Sequence, residues 1–294
     1  MNLPPTKVEP RMGAVQCMSP AGLHSMRYAE WGDPRNPRVL VCVHGLTRCG
    51  RDFDRLGQAL QGELRVVCPD VVGCGASDWL RDPTYYAVPQ YVADMVTLIA
   101  RLDVPKVAWL GTSMGGLIGM GLAGLPGTPV ERLVLNDVGI RLDPMGTARI
   151  AASIARPPAR FASLEEATQY LRTVSPGYAL RNDQQWREIT APLIKPDGEG
   201  FVFRYDPGIA VNVRAATPQV MQAGERTIAA LYDAIACPTL LVRGALSDVL
   251  TEETVRDMAA RGPRPRVHTF AGVGHAPMLL DPDQIEVIGR FLRD

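Results

Sequence analysis

The 294-residue sequence predicts an α/β fold with a mostly parallel central sheet, on three observations. Short runs rich in Val and Leu, with little polar alternation, suit strands covered on both faces. Segments with helical spacing lie between those runs. The two kinds alternate along the chain, as a parallel sheet requires, because each parallel pair needs a crossover. The length suffices for one large domain with an insertion, or two modest domains, around a sizeable core.

Taken in order, "AVQCM" and "LHSMRYAEWG", closed by the turn "GDPRNP", read as an antiparallel pair that leads into the sheet. The buried strands follow as "RVLVCVHG" (38–45), "LRVVCPD" (64–70), "KVAWLGTS" (106–113) and "RLVLNDV" (132–138). Helical spacing marks 52–61, 88–102 and 114–125 between them. "CPTLLVRG" (237–244) and "PRVHTF" (265–270) supply two more strands, and "DQIEVIGRFLRD" a closing helix. About 100 residues separate "RLVLN" from "TLLVR", far more than one crossover needs, so an inserted subdomain is expected there. Within it, Ser163 and Glu166 have the spacing of a capping box, Asn182 or Asp183 offers another N-cap, and "KPDGEGFVFRYDPG" reads as a turn before an extended aromatic stretch. The expected division is a core domain of residues 1–140 and 223–294 with a mainly helical cap at 141–222.

Composition removes several classes of function. Lys plus Arg equals Asp plus Glu at 31 each, and the arginines are scattered, so no charge excess points to nucleic acid or an anionic membrane. The N-terminal "MNLPPTKVEP" lacks the apolar core of a signal peptide, and no run of about 18 apolar residues suggests a membrane span. A cytoplasmic protein is expected. The six cysteines include no CxxC pair, and Cys42 and Cys68 sit in strand-like runs, which favours buried reduced thiols. With four histidines and no HExxH or Cys/His cluster, no metal site is expected.

The chemistry gathers around "GTSMG". Gly111-Thr112-Ser113-Met114-Gly115 fits G-x-S-x-G after an expected strand and before an expected helix, the context that gives the motif its meaning. The turn is so tight that side chains two residues to either side of Ser113 would collide, and the helix N-terminus favours developing negative charge. A serine hydroxyl needs a base, usually His, and that base needs an acid to fix its tautomer. His275 in "AGVGHAPML" and Asp248 in "RGALSDVL" each lie five residues beyond a strand, on the edge where parallel strands end. Asp248 is preferred as the acid because it sits in the short loop before the strand that delivers His275. Asp137 could reach the same edge and is expected as a loop anchor. His268 falls within the final strand, His24 precedes the nucleophile, and Asp70 and Asp78 lie on a Gly-rich loop where turn formation explains them. Oxyanion donors are expected from the Leu46 N–H, freed by the turn at Gly45, and the Met114 N–H, with His44 bracing the loop.

With these motifs in hand, the chain resembles the α/β-hydrolase superfamily from about residue 23 onward: "HGLTR", "PDVVGCGASD", "GTSMGG", and "RGALSDVL" with "GVGHAP" stand in its order. The resemblance implies an eight-stranded, mostly parallel sheet with a cap after the sixth strand. It also carries the nucleophile onto Ser113, the acid onto Asp248, the base onto His275, and the oxyanion donors onto Leu46 and Met114. Ser rather than Asp as nucleophile sets it apart from haloalkane dehalogenases and epoxide hydrolases, and Met114 from the aromatic usual in proline iminopeptidases. The motifs are also similar to those of bacterial hydrolases of short hydroxyalkanoate esters.

The reading favoured on these grounds is a cofactor-free serine esterase of small carboxylic esters. Arg48 would pair with a substrate carboxylate, and Trp186 and Tyr205, with Phe201 and Phe203, would line the pocket beneath the cap. C–C bond hydrolysis of ring-cleavage products or lactone hydrolysis by the same triad, and ligand reception on the same fold, are the competing readings. The expected partner is a small molecule, with no nucleic acid or membrane; whether the chain forms a homodimer is left open by the sequence.

Overall fold

The Val- and Leu-rich runs all form strands. The computed structural model describes residues 9–155 and 157–294; residues 1–8, which hold most of the N-terminal stretch read for a leader and begin the 1–140 segment, lie outside the described residues, as does Arg156 of the cap. The hairpin of β1 (Arg11–Ser19) and β2 (Gly22–Trp31) opens the chain. Then come β3 (Val39–Val43), α1 (Asp54–Leu60), β4 (Arg65–Pro69), α2 (Val88–Leu102), β5 (Val107–Thr112), α3 (Met114–Ala123) and β6 (Val130–Asn136). The long interval holds α4 (Pro144–Ala155), α5 (Leu164–Val174), α6 (Asp183–Thr190), a hairpin of β7 (Ile194–Asp197) and β8 (Gly200–Phe203), α7 (Ala210–Ala215) and α8 (Pro218–Asp233). The chain closes with β9 (Thr239–Gly244), α9 (Glu252–Ala260), β10 (Arg266–Phe270) and α10 (Pro282–Arg293).

Eight strands make one sheet in the order β1-β2-β4-β3-β5-β6-β9-β10. Its first two pairings, β1 with β2 and β2 with β4, are antiparallel and the others parallel. The run without polar alternation in β3 has a direct cause. Val39, Val41 and Val43 pack on the side of α2 and α3, while Leu40 and Cys42 pack on the side of α1 and α10. Each face is therefore its own dry layer. All six cysteines are free, five of them buried. Among the described residues no helix is long and apolar enough to cross a membrane.

The insertion is helical with one hairpin, where "KPDGEGFVF" turns at Gly198 (φ +56°), a conformation glycine adopts without a side-chain clash. Ser163 Oγ accepts the Glu166 N–H at 3.1 Å, and Glu166 reaches back to the Ala162 N–H at 2.6 Å, one residue before the expected partner. Asn182, not Asp183, caps α6. The boundary expected at 222 falls inside α8. The C-terminal part of that helix lies against the end of α3: a Cβ on Gly124 would meet Leu231 O at 2.3 Å. Trp186, Ile189, Leu193 and Leu171 pack with Cys49, Met278 and Leu280, so the insertion is seated on the sheet's C-terminal edge by a shared apolar seam.

Candidate active site

Ser113 stands between the end of β5 and the start of α3 with φ 51° and ψ −114°, a strained conformation for a side-chain-bearing residue. The surrounding chain enforces it. A Cβ on Gly115 would lie 2.0 Å from Val43 O, and one on Gly111 would lie 2.1 Å from Gly115 O, so only glycine fits on either side. The Ser113 N–H donates to Asn136 O at 3.0 Å. Asn136 Nδ2 in turn donates to Thr112 Oγ1 (2.9 Å) and to Pro277 O (2.8 Å), which ties the turn to the loop that carries His275.

His275, in the loop after β10, places Nε2 3.1 Å from Ser113 Oγ and Nδ1 2.8 Å from Asp137 Oδ2. Asp137 is wholly buried. Its Oδ1 also accepts the Gly244 N–H at 2.9 Å and its Oδ2 the Ser247 hydroxyl at 2.7 Å, so the carboxylate is fully supplied with donors. The expectation that Asp248 stands behind His275 is not met in this geometry. Asp248 turns instead to α4, where Arg149 Nε and Nη2 hold its two oxygens at 2.6 and 2.8 Å and lower its pKa from the usual carboxylate value.

The sheet explains the difference. Thr112 of β5 is opposite Asn136 of β6, so Ser113 and Asp137, each the first residue past its strand, leave adjacent strands at one level. Both turn through positive φ. Asp248 follows the strand beyond, four residues past its end at Gly244. A sequence signal for Asp137 existed: it follows its strand as immediately as Ser113 does.

The loop after β3 makes a turn in which the Arg48 N–H donates to Gly45 O at 3.1 Å and Thr47 takes φ 62°. His44 Nε2 accepts the Val71 N–H (2.9 Å), which leaves Nδ1–H to donate to Gly45 O (2.7 Å). Burial keeps this imidazole below its ordinary pKa, and it braces the loop as a neutral group. Neither the Leu46 nor the Met114 amide has an acceptor among the described residues, and both residues line the cavity beside Ser113.

That cavity, about 340 Å³, lies between the insertion after β6 and the sheet's C-terminal edge and is bounded by Ser113, His275, Leu142, Tyr178, Phe203 and Tyr205 among others. The expected substrate-binding residues divide. Tyr205 lines the cavity; Trp186 does not, since it is buried in the seam, stacked near Tyr178 with the Arg172 guanidinium over its ring. Arg48 lines the cavity, but its guanidinium is committed: Nε and Nη2 donate to Asp52 at 2.7 and 2.5 Å, Nη2 also donates to Ile189 O at 3.1 Å, and Nη1 is buried without an acceptor among the described residues. It ties the loop after β3 to α6. Arg149, on α4, was not singled out in the sequence because a lone helical arginine carries no motif.

Among the described residues one cluster has metal-ligating side chains in reach of each other: Cys17, His24 and Asp94, all buried. His24 Nε2 and Asp94 Oδ2 are 3.0 Å apart, Gln90 donates to the other oxygen, and burial pushes the Cys17 thiol up to about 12. The group joins the opening hairpin to α2, on the sheet edge away from Ser113.

Comparison with known proteins agrees with this architecture. The profile described as "Alpha/beta hydrolase family" matches residues 40–286. The 3-hydroxybutyrate-oligomer hydrolase of Cupriavidus necator is 55% identical over 286 residues, 96% of this chain and 97% of that protein. An α/β hydrolase from Novosphingobium aromaticivorans, solved by crystallography, aligns at 34% identity with a TM-score of 0.82, covering 97% of this chain and 99% of its own. An esterase of Escherichia coli, YbfF, is 24% identical over 88% of this chain and 94% of its own. From the profile match, the near-complete alignments and the eight-stranded sheet that carries them, the chain belongs to the alpha/beta hydrolase family of enzymes.

Proposed function

We propose that the protein is a serine hydrolase of small carboxylic esters, with short linear oligomers of 3-hydroxybutyrate as its substrate class. The hydrogen-bonded line Ser113 Oγ, His275, Asp137 carries the reading, at 3.1 and 2.8 Å. His275 Nε2 takes the Ser113 proton as Oγ attacks the ester carbonyl. Asp137 keeps the other ring proton on Nδ1 and stabilises the imidazolium. The Leu46 and Met114 amides, free of other acceptors, receive the oxyanion. His275 then gives its proton to the leaving alkoxide oxygen, an acyl-Ser113 ester is left, and His275 activates water to release the acid. No cofactor takes part in these steps.

The substrate class is supported by the 55% identity to the Cupriavidus enzyme. C–C bond hydrolysis drew on Arg48 as a carboxylate anchor, and that guanidinium is bound to Asp52. The 141–222 cap would roof the pocket. The test is hydrolysis of graded p-nitrophenyl esters and of the 3-hydroxybutyrate dimer by wild type and Ser113→Ala. Release of nitrophenol and of monomer by wild type, abolished in Ser113→Ala, is expected; equal release by the variant would overturn the mechanism, and failure on the dimer would overturn the substrate class.

A further inference from the structure

We infer that Arg149 anchors the free carboxylate of the substrate, so that the enzyme selects ester bonds at the acid end of an oligomer. The inference rests on the ester-hydrolase reading above and adds a polarity to it.

The polarity follows from chemistry. In a linear 3-hydroxybutyrate oligomer the terminal carboxylate belongs to the alcohol side of the last ester bond, and the free hydroxyl to the acyl side. The alcohol oxygen must face His275, which protonates it on departure. The terminal carboxylate is therefore delivered a few bonds beyond His275, not toward the acyl pocket.

The wall on that side carries Arg149. The loop bearing Asp248 lies beside the His275 loop, since the Leu246 N–H donates to Val273 O at 2.8 Å and a Cβ on Gly244 would meet Gly274 O at 2.4 Å. Arg149 gives Nε and Nη2 to Asp248, which does not line the cavity, while Arg149 itself does. Its remaining nitrogen, Nη1, has only a long contact of 3.5 Å to Val174 O, and Val174 also lines the cavity. The guanidinium is thus clamped by a carboxylate outside the lining, while Nη1 is left under-used beside Val174, a residue of the cavity wall. A carboxylate can accept from Nη1 without displacing Asp248. The other guanidinium of the lining, Arg48, is paired with Asp52, which itself lines the cavity and would repel a second carboxylate there, whereas the Asp248 partner of Arg149 stands outside the lining.

The test compares the 3-hydroxybutyrate dimer as free acid with its methyl ester, which removes the charge and keeps the scissile bond. A charge-assisted hydrogen bond predicts that the ratio of kcat/KM for acid over methyl ester falls about ten- to hundred-fold in Arg149→Gln, with Arg149→Lys in between. The loss should sit mainly in KM. A parallel fall for both substrates, or an unchanged ratio, would overturn the anchor while leaving the hydrolase standing. Calorimetric binding of the two dimers to Ser113→Ala, with and without Arg149→Gln, reads the anchor without turnover. A preference for the acid that disappears with Arg149→Gln is expected, and its persistence would refute the proposal. Should wild type cleave neither dimer, the substrate reading fails, and calorimetry still decides whether Arg149 holds the carboxylate.

Discussion

The two candidate acids differ enough in surroundings that one substitution at each separates them. In Asp137→Asn the amide oxygen can serve only one side of a site that supplies three donors: His275 Nδ1, the Ser247 hydroxyl and the Gly244 N–H. The amide NH₂ must then face another donor, or turn to His275 and select the tautomer with its proton on Nε2. That tautomer cannot accept the Ser113 proton. Loss of the acid in such a triad costs about 10⁴ in kcat, or about 5.5 kcal/mol of barrier. Asp248→Asn instead weakens an ion pair whose side chains are 43% and 35% exposed. Such pairs contribute about 0.2–1 kcal/mol, so less than about five-fold is expected on a neutral ester. Initial rates on p-nitrophenyl butyrate, with circular dichroism to check folding, decide between them. A 10⁴-fold loss in Asp248→Asn beside a loss under ten-fold in Asp137→Asn would refute the assignment.

Three further outcomes follow from packing and burial. Gly115→Ala should lose at least about 3 kcal/mol in urea unfolding, because its Cβ would meet the Val43 carbonyl at 2.0 Å and backbone must move. Trp186→Ala should lose about 3–5 kcal/mol and make the 141–222 segment an early target of limited proteolysis, since the ring fills the seam between cap and sheet. His44 tests linkage. Its folded pKa is depressed by burial, so below about pH 6.5 the unfolded chain binds a proton that the folded protein refuses. Stability is therefore full above that pH and falls with acidification. On acidification from pH 7 to 5.5, denaturant unfolding should show the wild type losing more stability than His44→Gln, whose side chain does not titrate.

Much of this site was legible because backbone geometry restricts residue choice. Gly111 and Gly115 advertise the turn at Ser113 because any Cβ there would strike a carbonyl, and His275 follows the last strand of a parallel sheet whose ends share one edge. Asp137 was harder to read. Two carboxylates follow two neighbouring strands, and what selects between them is strand register and the direction each side chain takes, neither of which is written in local spacing. Asp248 was drawn away by Arg149, roughly 100 residues earlier in the chain, a pairing that only the folded cap creates. Arg48 failed as a free anchor for a local reason, since Asp52 four residues on pairs with its guanidinium. Trp186 had the composition of a pocket residue and the position of a seam residue. Cap sequences fix such roles through tertiary contacts, not through motifs.

The proposed mechanism passes through a covalent intermediate on Ser113, which rapid-quench mass spectrometry of the wild type turning over p-nitrophenyl butyrate would capture. A transient gain of one butyryl group is expected, mapped to the peptide that contains Ser113 and lost as hydrolysis completes. Turnover without any adduct, or an adduct on another residue, would contradict it.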